Sequence, residues 1–309
     1  MTLVTRRTEL LLCLSLILVS GVGGADAASV LYIHGDVAAN GVVPSGEGVE
    51  PYDQMLLDDT GRTGLSDFRD LVRSQGHQIT QVYDRDTTLT ANLLNAHEVV
   101  IFGLHQKIWS GAEKSVLETW LQAGGGMLIY SDSASGGRFS LVGAQNPVGQ
   151  SVTNNLIGAY GLQVTVDQAD GVKAMTATSS NAIVSGPLTL EGEGVSTVAV
   201  SPSDSTTEIL VPYTDPVNQT QNITIANAVW AALVLRPVGQ GHISIMFDRQ
   251  PMWNNGPGSD ITKRNNEEIL RRLINFLAEV PNQNDPEPPS QTPSARPVIG
   301  ATMLLLDED

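Results

Sequence analysis

The stretch 97-HEVVIFGLHQKIWSGAEKSVLETWLQAGGGMLIYSDSASGG-137 decides the fold class. Its first seven residues form a short apolar run closed by glycine, the pattern of a buried strand. Ser110 and Glu113 make a capping box, because hydroxyl and carboxylate can each satisfy an unpaired N–H of a helix start. Val116, Leu117, Trp120 and Leu121 then fall on one helical face. Glycines 124–126 end that helix, and MLIY follows as a second strand. Strand, helix and strand with short connections predict a crossover that lays the two strands parallel.

The same alternation extends towards the N-terminus. Residues 29-SVLYIH-34 read as a first buried strand, followed by a long polar loop over 37–62. Residues 65–77 carry Leu65, Phe68, Leu71 and Val72 at helical spacing, with Gly76 as the stop. QITQVYD (78–84) reads as a strand and LTANLLNA (89–96) as a short helix. The order β-α-β-α-β-α-β predicts an α/β protein with a mainly parallel sheet covered by helices on both faces.

Beyond this unit the character changes. Residues 151–161 look helical. From 162 to about 240 the chain is β-rich, with LQVTV, VSTVAV, EILVPY and ITIANAVWAALVL as strand-like runs. This part is either an insertion or the far edge of the same sheet. HISIMFD (242–248) reads as a strand. The last helix, 266–280, has the stripe Ile269, Leu270, Leu273, Ile274 and Leu277, with Asn265 as its cap and Glu268 three residues on.

The ends read differently from the body. Residues 1–27 place Arg6 and Arg7 before the apolar LLLCLSLILV, then Ala25-Asp26-Ala27, the plan of a cleaved signal peptide. The apolar run is about half of the ~20 residues a membrane span needs. Its removal takes two basic and two acidic residues and leaves the net charge at −16. It also takes Cys13, the chain's one cysteine. The mature chain, residues 28–280 with a disordered tail over 281–309, is thus expected to be periplasmic or secreted, with no disulfide, thiol nucleophile or thiolate ligand. The acidic balance argues against a nucleic-acid partner. No span is expected in the mature chain.

In a parallel sheet the loops after the strands meet at one edge. Four strand ends bring polar groups there: His34 and Asp36; His105 and Gln106; Ser131, Asp132 and Ser133; and Asp248 with Arg249. Asp132 suits a general base or nucleophile, Ser131 a nucleophile, and His34 or His105 an assisting base. Arg249 suits an anionic group. Each also suits an ordinary cap or turn. His77, His97 and His242 read as structural. The stretch 247-FDRQPMWNNGPGSDI-261 adds Trp253 and Asn254, which suit a sugar by stacking and amide hydrogen bonding, and equally an ordered loop pinned by Asp248-Arg249 and closed by a Trp in the core. Asn255 and Asp260, with Asp36 and Asp248, supply oxygens of the kind that hold Ca²⁺, although the spacing is not that of an EF-hand.

The HGD turn after the first strand, the helix running into GGGMLIYSDSA, and the closing GQGHISIMFDR, NNGPGSDI and LRRLINFLA resemble the class I glutamine amidotransferase-like superfamily. Within it they look closest to ThuA-like proteins and related exported domains of unknown function, over residues 29–279. The resemblance implies a flavodoxin-like three-layer fold. In amidotransferases of this kind a cysteine follows the strand, and a His and Glu come later. Here Tyr130-Ser131-Asp132-Ser133-Ala134 stands at that turn and Asp248-Arg249 at the later place, so glutamine hydrolysis is not expected. The Gly-Ile-His-Ser-Ala type of turn in ThuA-like proteins would set Asp132 at the histidine. Three readings stay open: a non-catalytic binding or interaction module, with a carbohydrate or another exported protein at the strand-end cleft; a hydrolase of a sugar-derived or amide substrate, using Asp132 with His34 or His105; and a Ca²⁺-stabilised structural domain. No other cofactor is expected.

Overall fold

The computed structural model describes residues 27–35, 55–103, 105, 107–130, 150–165, 171–193, 196–214, 223–256 and 258–279. Residues 1–26 of the predicted signal peptide, residues 281–309, most of the 37–62 loop and the candidates Asp36, Gln106, Ser131, Asp132 and Ser133 lie outside the described residues.

The strands β1 (Ser29–His34), β2 (Gln78–Tyr83), β3 (Val99–Gly103) and β4 (Gly126–Tyr130) alternate with the helices α1 (Ser66–Ser74), α2 (Ala91–Leu94) and α3 (Gly111–Gln122). Helix α4 (Gln150–Ile157) opens the second half. It is followed by β5 (Leu162–Val164), β6 (Val172–Thr176), β7 (Thr189–Glu193), β8 (Val198–Val200), β9 (Glu208–Pro212), β10 (Val229–Val238) and β11 (Gly241–Met246), then α5 (Asn266–Ala278).

The main sheet runs β2-β1-β3-β4-β11-β10-β8-β5, with β9 also paired to β10. From β2 to β11 every pairing is parallel. This order, with β11 as the fifth strand, is the doubly wound flavodoxin-like arrangement. From β10 onwards the pairings are antiparallel. The β-rich part is thus largely the far edge of the same sheet, not a separate insertion, while β6 and β7 form their own two-stranded sheet.

Both faces of the central strands are buried, as their continuous apolar runs require. Val30, Tyr32, Ile101, Leu128 and Tyr130 pack with α1 and α5 on one face. Leu31, Ile33, Phe102 and Ile129 pack with α3 and α4 on the other. Each fully buried aliphatic side chain contributes about 1.5–3 kcal/mol, so these two cores hold the three layers together.

The capping box forms as the spacing predicts: the Glu113 N–H donates to Ser110 Oγ at 3.3 Å and the Ser110 N–H to Glu113 Oε2 at 3.0 Å. The cap predicted for α5 does not form. Asn265 has φ −117° and ψ 23°, outside the extended geometry a cap needs, and makes no side-chain cap bond. Its Oδ1 instead accepts from the Thr189 N–H at 2.8 Å, while its own N–H donates to the Thr189 carbonyl at 3.0 Å. Glu268 pairs with Arg271 and Arg272, each at 2.6 Å. Beside Asn265, the buried Asn266 accepts from the Glu191 N–H at 2.8 Å and donates to the carbonyls of Glu191 at 2.9 Å and Asp260 at 2.8 Å. Two neighbouring asparagines therefore stitch β7 to the start of α5.

Candidate functional site

His34, Gly103, Tyr130 and Met246 stand side by side across β1, β3, β4 and β11. This row is the C-terminal edge of the parallel sheet, where doubly wound folds bind ligands. Tyr32 precedes His34 by two residues and so shares its face of β1. The Tyr32 ring stacks on His34 with centroids 5.9 Å apart. Its hydroxyl donates to the Met55 carbonyl at 3.0 Å and lies 2.5 Å from the Tyr130 hydroxyl. Since Tyr32 has one hydroxyl hydrogen and gives it to Met55, Tyr130 is the donor between the two.

Gly103 makes this arrangement fit. A Cβ there would sit 2.2 Å from the Tyr130 hydroxyl and 2.5 Å from that of Tyr32. The glycine at the end of β3 is thus the space into which both phenols reach.

Burial sets the protonation states. It drives both phenols above their ordinary pKa, and for Tyr130 the neighbouring Tyr32 adds to the effect. It pulls His34 down to about 4. Arg249, also buried, is pulled down to about 10 and remains a cation at neutral pH. The guanidinium lies over the Trp253 ring, 5.1 Å from its centroid. The cluster is therefore two neutral phenols and a neutral imidazole beside one buried cation.

The other strand ends go elsewhere. His105 is 2% exposed, packs its edge on Phe102 at 5.4 Å and engages the Val152 backbone of α4. Phe102 belongs to the core under α3 and α4, so His34 and His105 pack on opposite faces of the sheet. They cannot assist one acid or nucleophile together. Burial lowers His105 to about 4 as well. Asp248 accepts from the Glu193 N–H at 2.6 Å and from the Arg249 N–H at 2.7 Å, which fastens the end of β11 to the end of β7.

The 247–261 stretch is a folded brace. Trp253 is 3% exposed and Trp109 is 1% exposed, so neither offers a ring face to a sugar. Trp253 instead fills the core beside α5. The Asn254 amide donates to the carbonyls of Asp59 and Gly61 at 3.0 and 2.8 Å and accepts from the Asp67 N–H at 2.8 Å. These bonds leave it little capacity for a ligand. Asp260 accepts from the Thr262 N–H and hydroxyl at 2.8 and 2.6 Å. The Asn255 carbonyl accepts from Arg62 Nε at 3.1 Å. Among the described residues no three His, Cys, Asp or Glu side chains converge as a metal site would need. His77, read as structural, bridges the Ala28 N–H at 3.1 Å and the Asn275 side chain at 2.9 Å.

Tyr32, Tyr130 and Gly103 were not among the sequence candidates. A signal existed in the spacing, since Tyr32 and His34 share a face. The tyrosines sit inside apolar runs and read there as core.

No protein-family model matches the chain, and no curated protein matches it. Solved structures resemble it in part. The N-terminal domain of mmIFT52 superposes with a TM-score of 0.51 at 15% identity, over 81% of this chain and 97% of that one. A cytoplasmic protein from Salmonella typhimurium gives 0.47 at 14% identity, over 82% and 98%. A ThuA-like protein from Bacteroides uniformis gives 0.45 at 11% identity, over 80% and 91%. At these identities the likeness concerns the fold alone. Among the described residues no helix is long and apolar enough to cross a membrane.

Proposed function

We propose that the chain is an exported, non-catalytic binding or interaction module whose ligand or protein partner is held at the C-terminal edge of the parallel sheet. The observation that carries this reading is how the strand-end groups are used. Tyr32, Tyr130 and His34 bond to or stack on one another, Asp248 is committed to backbone N–H groups, and the two candidate bases lie on opposite faces. A nucleophile needs a base within hydrogen-bond reach. Among the described strand-end residues the Tyr32 hydroxyl lies 3.4 Å from His34 Nδ1, but it already gives its hydrogen to the Met55 carbonyl.

Two sequence features support the rest. The N-terminal pattern of Arg6-Arg7, apolar run and Ala25-Asp26-Ala27 suits export to the periplasm or beyond. The loss of Cys13 with that segment leaves the mature chain without the thiol that amidotransferase-like chemistry uses.

The test is a thermal-shift screen of the full mature chain against neutral and acidic sugars, simple amides, and Ca²⁺ against EDTA, for wild type and Asp132→Ala. A ligand that binds the native state raises its melting temperature by mass action. A sugar shift that Asp132→Ala abolishes, with the sugar recovered unchanged, supports a carbohydrate-binding module. Turnover of a glycoside or amide, lost in Asp132→Ala, overturns the non-catalytic reading.

A further inference from the structure

Residues 55–65 form a loop closed on itself. The Met55 N–H donates to the Thr63 carbonyl at 2.9 Å and the Leu65 N–H to the Leu56 carbonyl at 3.0 Å. Within it the Gly64 N–H reaches the Gly61 carbonyl at 3.1 Å, and the Gly61 N–H reaches Asp59 Oδ1 at 2.7 Å. A Cβ at Gly64 would lie 2.1 Å from the Asp59 carbonyl oxygen, so the loop keeps this form only with glycine there. Such a loop, with joined ends and its own internal bonds, is a compact unit of the Ω type.

Besides the ion pair of Asp58 with Arg69 of α1 at 2.7 Å and the Ser66 N–H on the Asp59 carbonyl at 3.3 Å, its attachments to the body fall into two groups. One is the Asn254–Asn255 pair. The Asn254 amide holds the Asp59 and Gly61 carbonyls, its backbone N–H donates to the Gly64 carbonyl at 3.0 Å, and Asn255 exchanges two bonds with Arg62, both at 3.1 Å. The other is at the start of the loop. The Met55 carbonyl accepts the Tyr32 hydroxyl, and the Leu57 N–H donates to Gln81 Oε1 at 2.9 Å.

Met55 itself has φ +64°, a left-handed conformation that a long side chain adopts only at a cost. Such backbone strain persists only where the surroundings hold it, and it concentrates at clamps and switches. The Tyr32 hydroxyl and the fully buried Met55 side chain are what hold it here.

We propose that residues 55–65 are a strap, latched by Asn254 and sprung at Met55, that lifts off the Tyr32–Tyr130 cluster as a unit while the sheet stays folded. Leu65, directly before α1, is the pivot. Lifting releases the one hydroxyl hydrogen of Tyr32 and uncovers the phenols from the side of Met55. The strap would thereby regulate access to the strand-end edge, a meaning that rests on the binding role proposed above. The movement itself does not need a ligand.

Hydrogen–deuterium exchange of the full chain, read by mass spectrometry without any ligand, tests the movement apart from the binding role. Peptides covering 55–65 and 254–256 are expected to exchange through one shared opening, ahead of β1, β3, β4 and β11. Asn254→Ala removes two donated bonds and one accepted bond, and should speed exchange in those two segments roughly tenfold or more, with β3 and β4 unchanged. Met55→Gly and Met55→Ala delete the same buried side chain, but only glycine accepts φ +64° without strain. The strap of the glycine variant should exchange roughly fivefold more slowly than that of the alanine variant. Exchange of 55–65 only together with the strands, or a uniform rise in Asn254→Ala, overturns the strap. Equal exchange of the two Met55 variants overturns its sprung end.

Discussion

The hydroxyl oxygens of Tyr32 and Tyr130 lie 2.5 Å apart, buried where β1 and β4 end on either side of β3. Tyr32→Phe removes a donor from the Met55 carbonyl and an acceptor from Tyr130, leaving two buried polar groups without their partner. A loss of about 2–3 kcal/mol is expected. Tyr130→Phe removes only a donor to Tyr32 and should cost about 1 kcal/mol. Urea unfolding of both single variants and the double variant gives a cycle, in which the double should be less destabilised than the sum by about 1 kcal/mol. Additive losses would show that the two phenols are not coupled.

Gly103→Ala should be among the most damaging single-methyl changes in the chain. The new Cβ would meet both phenol oxygens and the Tyr32 ring at 2.5 Å or less, with β3 unable to move between its two neighbours. Overpacking of this kind costs about 1–3 kcal/mol, or more where nothing yields. The melting temperature reads it. A Gly103→Ala protein as stable as wild type would mean that the tyrosines are not fixed in this arrangement. Combining it with Tyr130→Phe should recover part of the loss.

Asn266 is fully buried and makes three backbone hydrogen bonds between β7, the 259–260 segment and α5. Asn266→Ala should cost about 2–4 kcal/mol, because it strands several polar groups at once. Asn266→Asp keeps the acceptor for the Glu191 N–H but sets a carboxylate against two carbonyl oxygens, and should be no better than alanine at neutral pH. Denaturant midpoints for the two variants check this.

Stability should fall in mild acid through two histidines. His34 and His105 are held down to about 4 by burial, against about 6.5 in an unfolded chain. Between those values the unfolded chain binds protons that the folded chain refuses. Their contribution is therefore fully present above pH ~6.5 and is lost as pH drops towards 4, by up to about 3 kcal/mol for each. Urea midpoints measured from pH 7.5 down to 4 should show this slope, and His34→Gln with His105→Gln should flatten it. An unchanged slope in the double variant would assign the acid sensitivity to other groups.

The parallel half of the fold was legible because its signals are local. HEVVIFG, the Ser110–Glu113 box and GGGMLIY each specify their own element, and the short links leave one handedness for the crossover. The antiparallel half was less so. LQVTV, VSTVAV and EILVPY were readable as strands, but their joining to β11 depends on long-range pairing that no local pattern encodes. Strands β6 and β7, VKAMT and TLEGE, escaped notice: they carry Lys, Thr, Glu and Gly, and β7 is held by Asn265 and Asn266 from across the chain. The parallel order sets the ends of β1, β3, β4 and β11 along one edge of the sheet, as the alternation predicts. Which faces they occupy was not legible, and it separates His34 from His105. For 247–261 the sequence left two readings, a sugar site and an ordered loop closed by a Trp in the core, and packing sets Trp253 in the core.

β11 is the last of the described strands, yet it lies between β4 and β10 in the middle of the sheet. A nascent chain that ends before residue 241 therefore has β4 with one side unpaired and the stretch 233–238 of β10 unpaired on the flank that β11 later takes. The central pairings close only when residues 241–279 arrive, which then bring α5 down over the same core. Non-local pairings of this kind are slow to form and expose strand edges while they wait. The sheet is thus completed from its centre by residues that follow all its other described strands, and a chain cut short within β10 should accumulate as an aggregation-prone intermediate, not as a smaller stable protein.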